Sequence, residues 1–342
     1  MSTAGGRKTA VVLFNLGGPD SLDAVKPFLF NLFNDPAIIG APAPIRWLLA
    51  KYISAKRAPI ARGIYQMLGG RSPLVPETEA QGRALEHVLG HGFRCFIAMR
   101  YWHPFTCEAV AAIREWGADE VVLLPLYPQF STTTTGSSLK EWHKQAARQG
   151  LSVPTRMACC YPTEPGLVEA MADLAGTGYR EAAGAGRPRI LFSAHGLPKS
   201  VIDKGDPYQA QVELTAAAVA RATGIDDLDW AICYQSRVGP MEWIGPSIET
   251  ELERAGRDGV PVVIVPVAFV SEHSETLVEL DIEYRHKADG LGIPAYVRVP
   301  ALGCHPAFIR GLADVIHRPQ AFSGQACKLL GRNCEPGSRA SC

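Results

Sequence analysis

The sequence predicts an α/β protein of two similar, Rossmann-like lobes, each with a parallel sheet, and a cleft between them. Short runs rich in β-branched residues alternate with longer helical patterns, which is typical of parallel strands joined by helices. The 342 residues suffice for two domains with separate hydrophobic cores. The runs also form two sets that resemble each other, which indicates an internal repeat.

The six predicted strands divide into an N-terminal and a C-terminal set of three. The first set comprises Ala10–Leu16, Cys95–Arg100 and Val121–Leu126, and the second comprises Ile190–Ser193, Trp230–Tyr234 and Val262–Val267. TAVVLFNLGGP pairs with PRILFSAHGLP, and DEVVLLPLYPQFS pairs with VPVVIVPVAFVSE. We therefore expect one lobe at residues 1–165, a second at 166–320, and a cysteine-containing tail at 321–342.

Between its first and second strands, the first lobe carries about 40 residues more than the second lobe does, far beyond ordinary loop lengths, and the excess lies near residues 28–76. It includes PAIIGAPAPIRWLLAKYISAKRAP, in which apolar residues are followed by basic ones. One interpretation is an amphipathic helix packed on its own lobe. The other is a lip that closes over an apolar ligand or touches a membrane.

Composition and termini limit the partners and the compartment. The 34 Lys and Arg residues balance the 34 Asp and Glu residues, so no net field attracts nucleic acid. MSTAGGRK leads into an apolar strand without a signal peptide, and no apolar stretch approaches the roughly 20 residues that span a bilayer. Nine cysteines, an odd number, argue against a disulfide framework. We expect a cytoplasmic protein, at most peripheral to a membrane, with no nucleic acid partner.

Residues suited to chemistry follow the predicted strands, where open α/β sheets bind ligands. His195 comes directly after a strand in LFSAHGLP. In FVSEHSETLVELDIEY, Glu272, Glu275, Glu279 and Glu283 recur at spacings of three and four, so a helix would align them on one face. That face is either a solvated acidic stripe or a path that passes protons and attracts a hydrated divalent cation.

His195 and Glu275 predict an open transition-metal site, because imidazole and carboxylate suit Fe(II) in transit. HExxH and CxxC…CxxC are absent, which disfavours structural zinc. GxGxxG, GxxxxGK[ST] and GxSxG are also absent. The hydroxyl-rich YPQFSTTTTGSS predicts a helix start whose Ser and Thr side chains cap the free amides.

Seven segments together resemble the ferrochelatase family, in the family's order. They are NLGGPDSLDAVKPFLFNLF, GGRSPL, AMRYWHPFTCEA, PLYPQFSTTTTGSS, SAHGLP, CYQSRVGPMEWIGPS and FVSEHSETLVELDIEY, and the similarity covers about residues 9–315. The resemblance implies a class II chelatase-like fold. It also implies insertion of Fe(II) into protoporphyrin IX, with release of two pyrrole protons, as the last step of haem synthesis.

The resemblance also assigns site residues. His195 would take pyrrole protons or bind the entering iron, Glu275 would be its partner across the porphyrin, Glu279 and Glu283 would continue the acidic path, and His273 would support the site. The positions that match porphyrin contacts are Leu16, Arg100, Tyr101, Tyr127, Ser131, Val238 and Trp243.

Several ferrochelatases hold a [2Fe–2S] cluster on four cysteines, which such a cluster requires. Thr132 occupies the position of the internal ligand in the animal enzymes. Four candidate ligands would therefore come from Cys159, Cys160, Cys327, Cys334 and Cys342. The alternative is a disordered tail with unused thiols.

Three other functions stay open on the sequence alone. A cobalt or nickel chelatase acting on sirohydrochlorin would need a more basic site for the many carboxylates of that substrate. A relative that accepts coproporphyrin is the second. A non-catalytic porphyrin or haem carrier is the third, and it would have no use for a row of glutamates.

Overall fold

The computed structural model describes residues 6–237, 241–319 and 321. They form two compact units. The first runs to Cys160 and takes in the chain again from Ala313, and the second runs from Tyr161 to Leu312. The chain therefore enters the second unit slightly before residue 166, and its last described helix returns to the first. The cleft predicted between the lobes stays a prediction.

The first unit contains a four-stranded parallel sheet with the strand order β2-β1-β3-β4. Its strands are β1 (Thr9–Asn15), β2 (Phe93–Met99), β3 (Glu120–Pro125) and β4 (Thr155–Met157). Its helices are α1 (Val25–Phe33), α2 (Ala43–Met67), α3 (Leu74–Leu89), α4 (Thr106–Trp116) and α5 (Thr135–Gln149). Every residue of β1 and β3 is buried, as expected when helices cover both faces of a parallel sheet.

The second unit repeats this topology with the strand order β6-β5-β7-β8. Its strands are β5 (Arg189–His195), β6 (Trp230–Gln235), β7 (Val262–Pro266) and β8 (Tyr296–Arg298). Its helices are α6 (Pro165–Ala182), α7 (Lys199–Asp203), α8 (Tyr208–Ala222), α9 (Ile248–Asp258), a π-helix (Glu275–Glu283) and α10 (Tyr284–Gly290). A further helix, α11 (Pro306–His317), carries the chain from this unit to the first.

Matching positions in the two sheets confirm the predicted pair of α/β lobes. β1 and β5 are equivalent, as are β3 and β7, and these are the strands whose sequences resemble each other. All six predicted strands are present, displaced by only a residue or two. The sequence missed β4 and β8, because strands of three residues are too short to show a periodic pattern.

The insertion forms mainly α2, a helix of 25 residues. Ala50, Ser54, Ala58 and Tyr65 lie on its buried face, so it packs on its own unit as the first interpretation predicts. Exposed apolar side chains also run along it: Ile45, Trp47, Leu48, Leu49, Tyr52, Ile60 and Met67. No helix in the described ranges is long and apolar enough to cross a bilayer.

Candidate active site

The catalytic candidates of the second unit lie where the strand order reverses. His195 ends β5, and Glu275 begins the π-helix that follows β7, the neighbour of β5 in the sheet. Connections leave these two strands in opposite directions, which opens a crevice at their carboxyl ends. The fold therefore brings together two residues that are 80 positions apart in the chain.

His195 and Glu275 form a direct hydrogen bond, with 2.9 Å between Nδ1 and Oε2. Their side chains are 38% and 31% exposed, so the pair is open to a ligand. With the Nδ1 proton donated to the carboxylate, a neutral imidazole presents the lone pair of Nε2. The placement of Glu275 across the porphyrin from His195 stays a prediction, and in this structure the two side chains are in direct contact.

The charges of the pair shift both pKa values. Burial alone would lower the pKa of His195, but the carboxylates of Glu275 and Glu279 raise it above its ordinary value. Burial opposes ionisation of Glu275, but the charge and hydrogen bond of His195, together with His273, lower its pKa to about 2. Glu275 is therefore a carboxylate at neutral pH, and it strengthens His195 as a base.

His273 supports the start of the π-helix. Its Nδ1 accepts a hydrogen bond from the backbone N–H of Glu275 at 3.0 Å, and its ring lies edge-on to Phe269 with centroids 4.6 Å apart. Burial lowers the pKa of His273. A neutral ring that accepts at Nδ1 carries its proton on Nε2, so this geometry favours a supporting role over that of base or metal ligand.

Glu279 is held by three donors at the end of β6. The backbone N–H and the hydroxyl of Ser236 lie 2.9 and 2.5 Å from its carboxylate oxygens, and Nε2 of Gln235 lies at 3.1 Å. Burial and the charge of Glu275 nevertheless raise the pKa of Glu279. Gln235 and Ser236 were not predicted as site residues from the sequence, although both belong to CYQSRVGP at a strand's carboxyl end.

The four glutamates do not form one aligned stripe. Glu283 is exposed at the far end of the π-helix. Glu272 precedes the helix and pairs with Arg298 at 2.8 Å, while Thr276 donates to its other oxygen at 2.5 Å. The predicted alignment is therefore wrong for Glu272, because this residue precedes the helix and its carboxylate is paired with Arg298.

The predicted porphyrin contacts are distributed over both units. Leu16, Arg100, Tyr101, Tyr127 and Ser131 belong to the first unit, Trp243 belongs to the second, and Val238 lies outside the described residues. Arg100 is paired with the buried Asp35 at 2.9 Å, and Tyr101 donates to the same carboxylate at 2.8 Å. Asp35 therefore fixes the direction of both side chains.

YPQFSTTTTGSS contains the predicted helix start, since α5 begins within it at Thr135. The capping prediction is wrong at Thr134, whose side chain makes no cap hydrogen bond. Instead the hydroxyl of Ser131 accepts from the backbone N–H of Thr133 at 3.1 Å, which stabilises the turn before the helix. The hydroxyls of Thr135 and Ser138 are buried without a hydrogen-bond partner among the described residues.

The candidate cluster ligands are only partly described. Cys159 and Cys160 are buried next to each other, with 3.4 Å between their sulfur atoms. Cys327, Cys334 and Cys342 lie outside the described residues. Within the described ranges, no group of three or more His, Cys, Asp or Glu side chains is arranged to hold a metal ion.

The two parallel sheets, with an open imidazole–carboxylate pair at a switch point, define an α/β protein of the class that binds its ligand at the carboxyl ends of its strands. The fold is similar to that of SirB from Bacillus subtilis with Fe3+, with a TM-score of 0.54 and 13% identity over 92% of this chain and 97% of that one. At this identity the similarity shows the fold alone.

Sequence comparisons narrow the class to one family. A family model described as Ferrochelatase matches residues 8–320. A ferrochelatase of Caulobacter vibrioides (strain NA1000 / CB15N) is 58% identical over 91% of this chain and 90% of its own length. One of Hyphomonas neptunium is 56% identical over 97% of this chain and 92% of its own length. The chain belongs to the ferrochelatase family.

Proposed function

We propose that this chain inserts Fe(II) into protoporphyrin IX and releases two pyrrole protons. The observation that carries the proposal is the hydrogen-bonded His195–Glu275 pair at the switch point of a sheet, in a chain of this family. His195 accepts a pyrrole proton at Nε2, while its Nδ1–H stays hydrogen-bonded to the Glu275 carboxylate. The carboxylate stabilises the imidazolium that forms, without taking its proton.

Iron and porphyrin are substrates in this proposal. In the alternative role of the pair, His195 Nε2 and the Glu275 carboxylate would bind the entering iron, a ligand set that suits Fe(II) and leaves positions free for its transfer. One Nε2 lone pair serves as base or as iron ligand, not as both at once. Glu279 and Glu283 continue the acidic path from this pair towards the exposed end of the π-helix. Leu16, Arg100, Tyr101, Tyr127, Ser131, Val238 and Trp243 stay proposed porphyrin contacts.

The reaction is tested by anaerobic turnover of purified protein with ferrous iron and protoporphyrin IX. We expect porphyrin fluorescence to fall as haem forms, at a rate that depends on both enzyme and iron. Tight porphyrin binding without turnover would instead support a carrier. Parallel reactions with coproporphyrin, and with sirohydrochlorin and Co2+, distinguish the remaining alternatives.

We also propose that this is a cytoplasmic enzyme that attaches to an anionic membrane through α2. Arg46, Lys51, Lys56, Arg57 and Arg62 are the charged residues of this helix, which contains no acidic residue. Lys51 lies over the ring of Trp47 at 3.9 Å, and Lys56 lies over that of Tyr52 at 5.0 Å. Basic groups therefore accompany exposed apolar ones, as at a bilayer surface.

Vesicle binding tests this attachment. We expect the protein to co-sediment with phosphatidylserine–phosphatidylcholine vesicles, and the variant Leu48→Glu/Ile60→Glu to bind at least about 10-fold more weakly, because two apolar side chains lose their burial. Val88→Glu is the control, since Val88 is exposed but belongs to α3. Equal binding of all three proteins would contradict the proposal.

Finally, we propose a [2Fe–2S] cluster on four of Cys159, Cys160, Cys327, Cys334 and Cys342. The buried pair Cys159 and Cys160 supports it, because such clusters require cysteine thiolates and adjacent thiols can serve one centre. We expect anaerobically purified protein to be coloured and to contain iron and sulfide in equal amounts, and Cys334→Ser to lose both. Colourless protein without iron or sulfide would contradict the cluster.

A further inference from the structure

Gln235 links three parts of the second unit through its buried side chain. It ends β6 beside β5, where it is the register partner of His195, and it is fully buried. Its Oε1 accepts a hydrogen bond from the hydroxyl of Ser193 at 2.7 Å. Its Nε2 donates to the backbone oxygen of Glu275 at 3.2 Å and to the carboxylate of Glu279 at 3.1 Å.

These bonds fix the direction of the carboxamide. The Ser193 hydroxyl donates to Oε1, so the two N–H groups of Gln235 point to the π-helix. Ser193 is itself fully buried within β5. The backbone here is also tightly packed, because Gly196 donates to the carbonyl of Gln235 at 2.9 Å and a Cβ at Gly196 would lie 2.9 Å from that oxygen.

We propose that Gln235 is a positioning residue of the insertion reaction, which holds the Glu279 carboxylate beside the His195–Glu275 pair. It acts through Glu279 and through the backbone of Glu275, and it does not touch substrate. Ser236 supplies two further donors to Glu279, but one is a backbone N–H that any residue retains. Gln235 is the residue that connects Glu279 to the strand of His195. This inference rests on the proposed function.

A purely structural role predicts a different outcome. A buried amide that only satisfies backbone groups contributes to stability, and its loss would change the melting temperature without changing kcat. If Gln235 acts by placing Glu279, its substitution should instead lower kcat only while the Glu279 carboxylate is present. A double-mutant cycle measures that coupling.

The test uses the full chain and the variants Gln235→Met, Glu279→Gln and the double variant. Gln235→Met nearly keeps the side-chain volume and removes the three side-chain hydrogen bonds, while the backbone bond from Gly196 remains. We expect its porphyrin dissociation constant, measured by fluorescence quenching, to stay within about twofold and its kcat to fall at least about 10-fold. The double variant should be no slower than Glu279→Gln alone. Gln149→Met is the control, because Gln149 also donates to a backbone oxygen, that of Cys107, in the first unit.

If Gln235→Met does not fold, Ser193→Ala replaces it in the cycle. Loss of this hydroxyl frees the carboxamide to rotate, and kcat should fall in a way that is again not additive with Glu279→Gln. Two results would overturn the inference, provided that the wild-type enzyme turns over. One is an unchanged kcat in the single variant at Gln235 or Ser193, and the other is a double variant whose loss of kcat equals the product of the two single losses. Absence of turnover in the wild type would instead overturn the proposed function.

Discussion

Replacing Glu275 by Gln is expected to lower kcat for haem formation about 10²–10³-fold, because the substitution removes the charge that stabilises a protonated His195. The amide keeps the length of the side chain, so the variant should fold. Its NH2 group can also donate to Nδ1, which would leave the imidazole proton on Nε2, the atom that must accept one. Steady-state assays of the wild type and the variant measure the loss.

The pH dependence of kcat/KM provides an independent readout of the same variant. His195 must be unprotonated to accept a proton, so the rate rises with pH through its pKa. Glu275 raises that pKa, so its removal should move the acid limb of the profile to lower pH. Glu253→Gln, which alters an exposed glutamate of α9, is the control. If the Glu275→Gln variant keeps the kcat of the wild type, the Glu275 carboxylate has no role in the reaction.

The sequence predicted the sheet architecture because buried parallel strands produce continuous apolar runs. Thr9–Asn15 and Arg189–His195 are central strands, and their sequences show both the strand and the Gly-containing turn behind it. The apolar run of the second of these strands also placed His195 at the strand's carboxyl end. The prediction of a paired His195 and Glu275 came from the chemistry of their side chains, and their direct contact supports it.

The local geometry of the glutamates could not be predicted from spacing. The spacing of the glutamates indicates a helix but does not tell an α-helix from the π-helix observed at Glu275–Glu283. Which of the two forms is decided by tertiary contacts that the spacing does not show. Gln235 was not recognised because a single polar residue at a strand end has no pattern of its own. Its partners, Ser193 and Glu279, are 42 and 44 residues away in the chain.

Replacing Arg298 by Met is expected to destabilise the protein by about 3–5 kcal/mol, the cost of breaking a buried ion pair. Its side chain is only 8% exposed and contacts Glu272 at 2.8 Å and Asp281 at 2.7 Å. Glu272 lies before the π-helix and would lose its ion-pair partner. Asp281 lies within the π-helix and would lose the nearer of two arginines, since Arg285 stays at 3.6 Å. Denaturant unfolding measures the change.

The matched control for this prediction is Arg254→Met. Arg254 contacts Glu251 at 2.6 Å, but its side chain is 39% exposed, so its loss should cost at most about 1 kcal/mol. Because Arg298 spans the segment that carries Glu275 and Glu279, its loss should also lower kcat under conditions in which the protein is folded. If the two arginine variants lose the same free energy of unfolding, the ion pairs of Arg298 do not stabilise the π-helix in the way predicted.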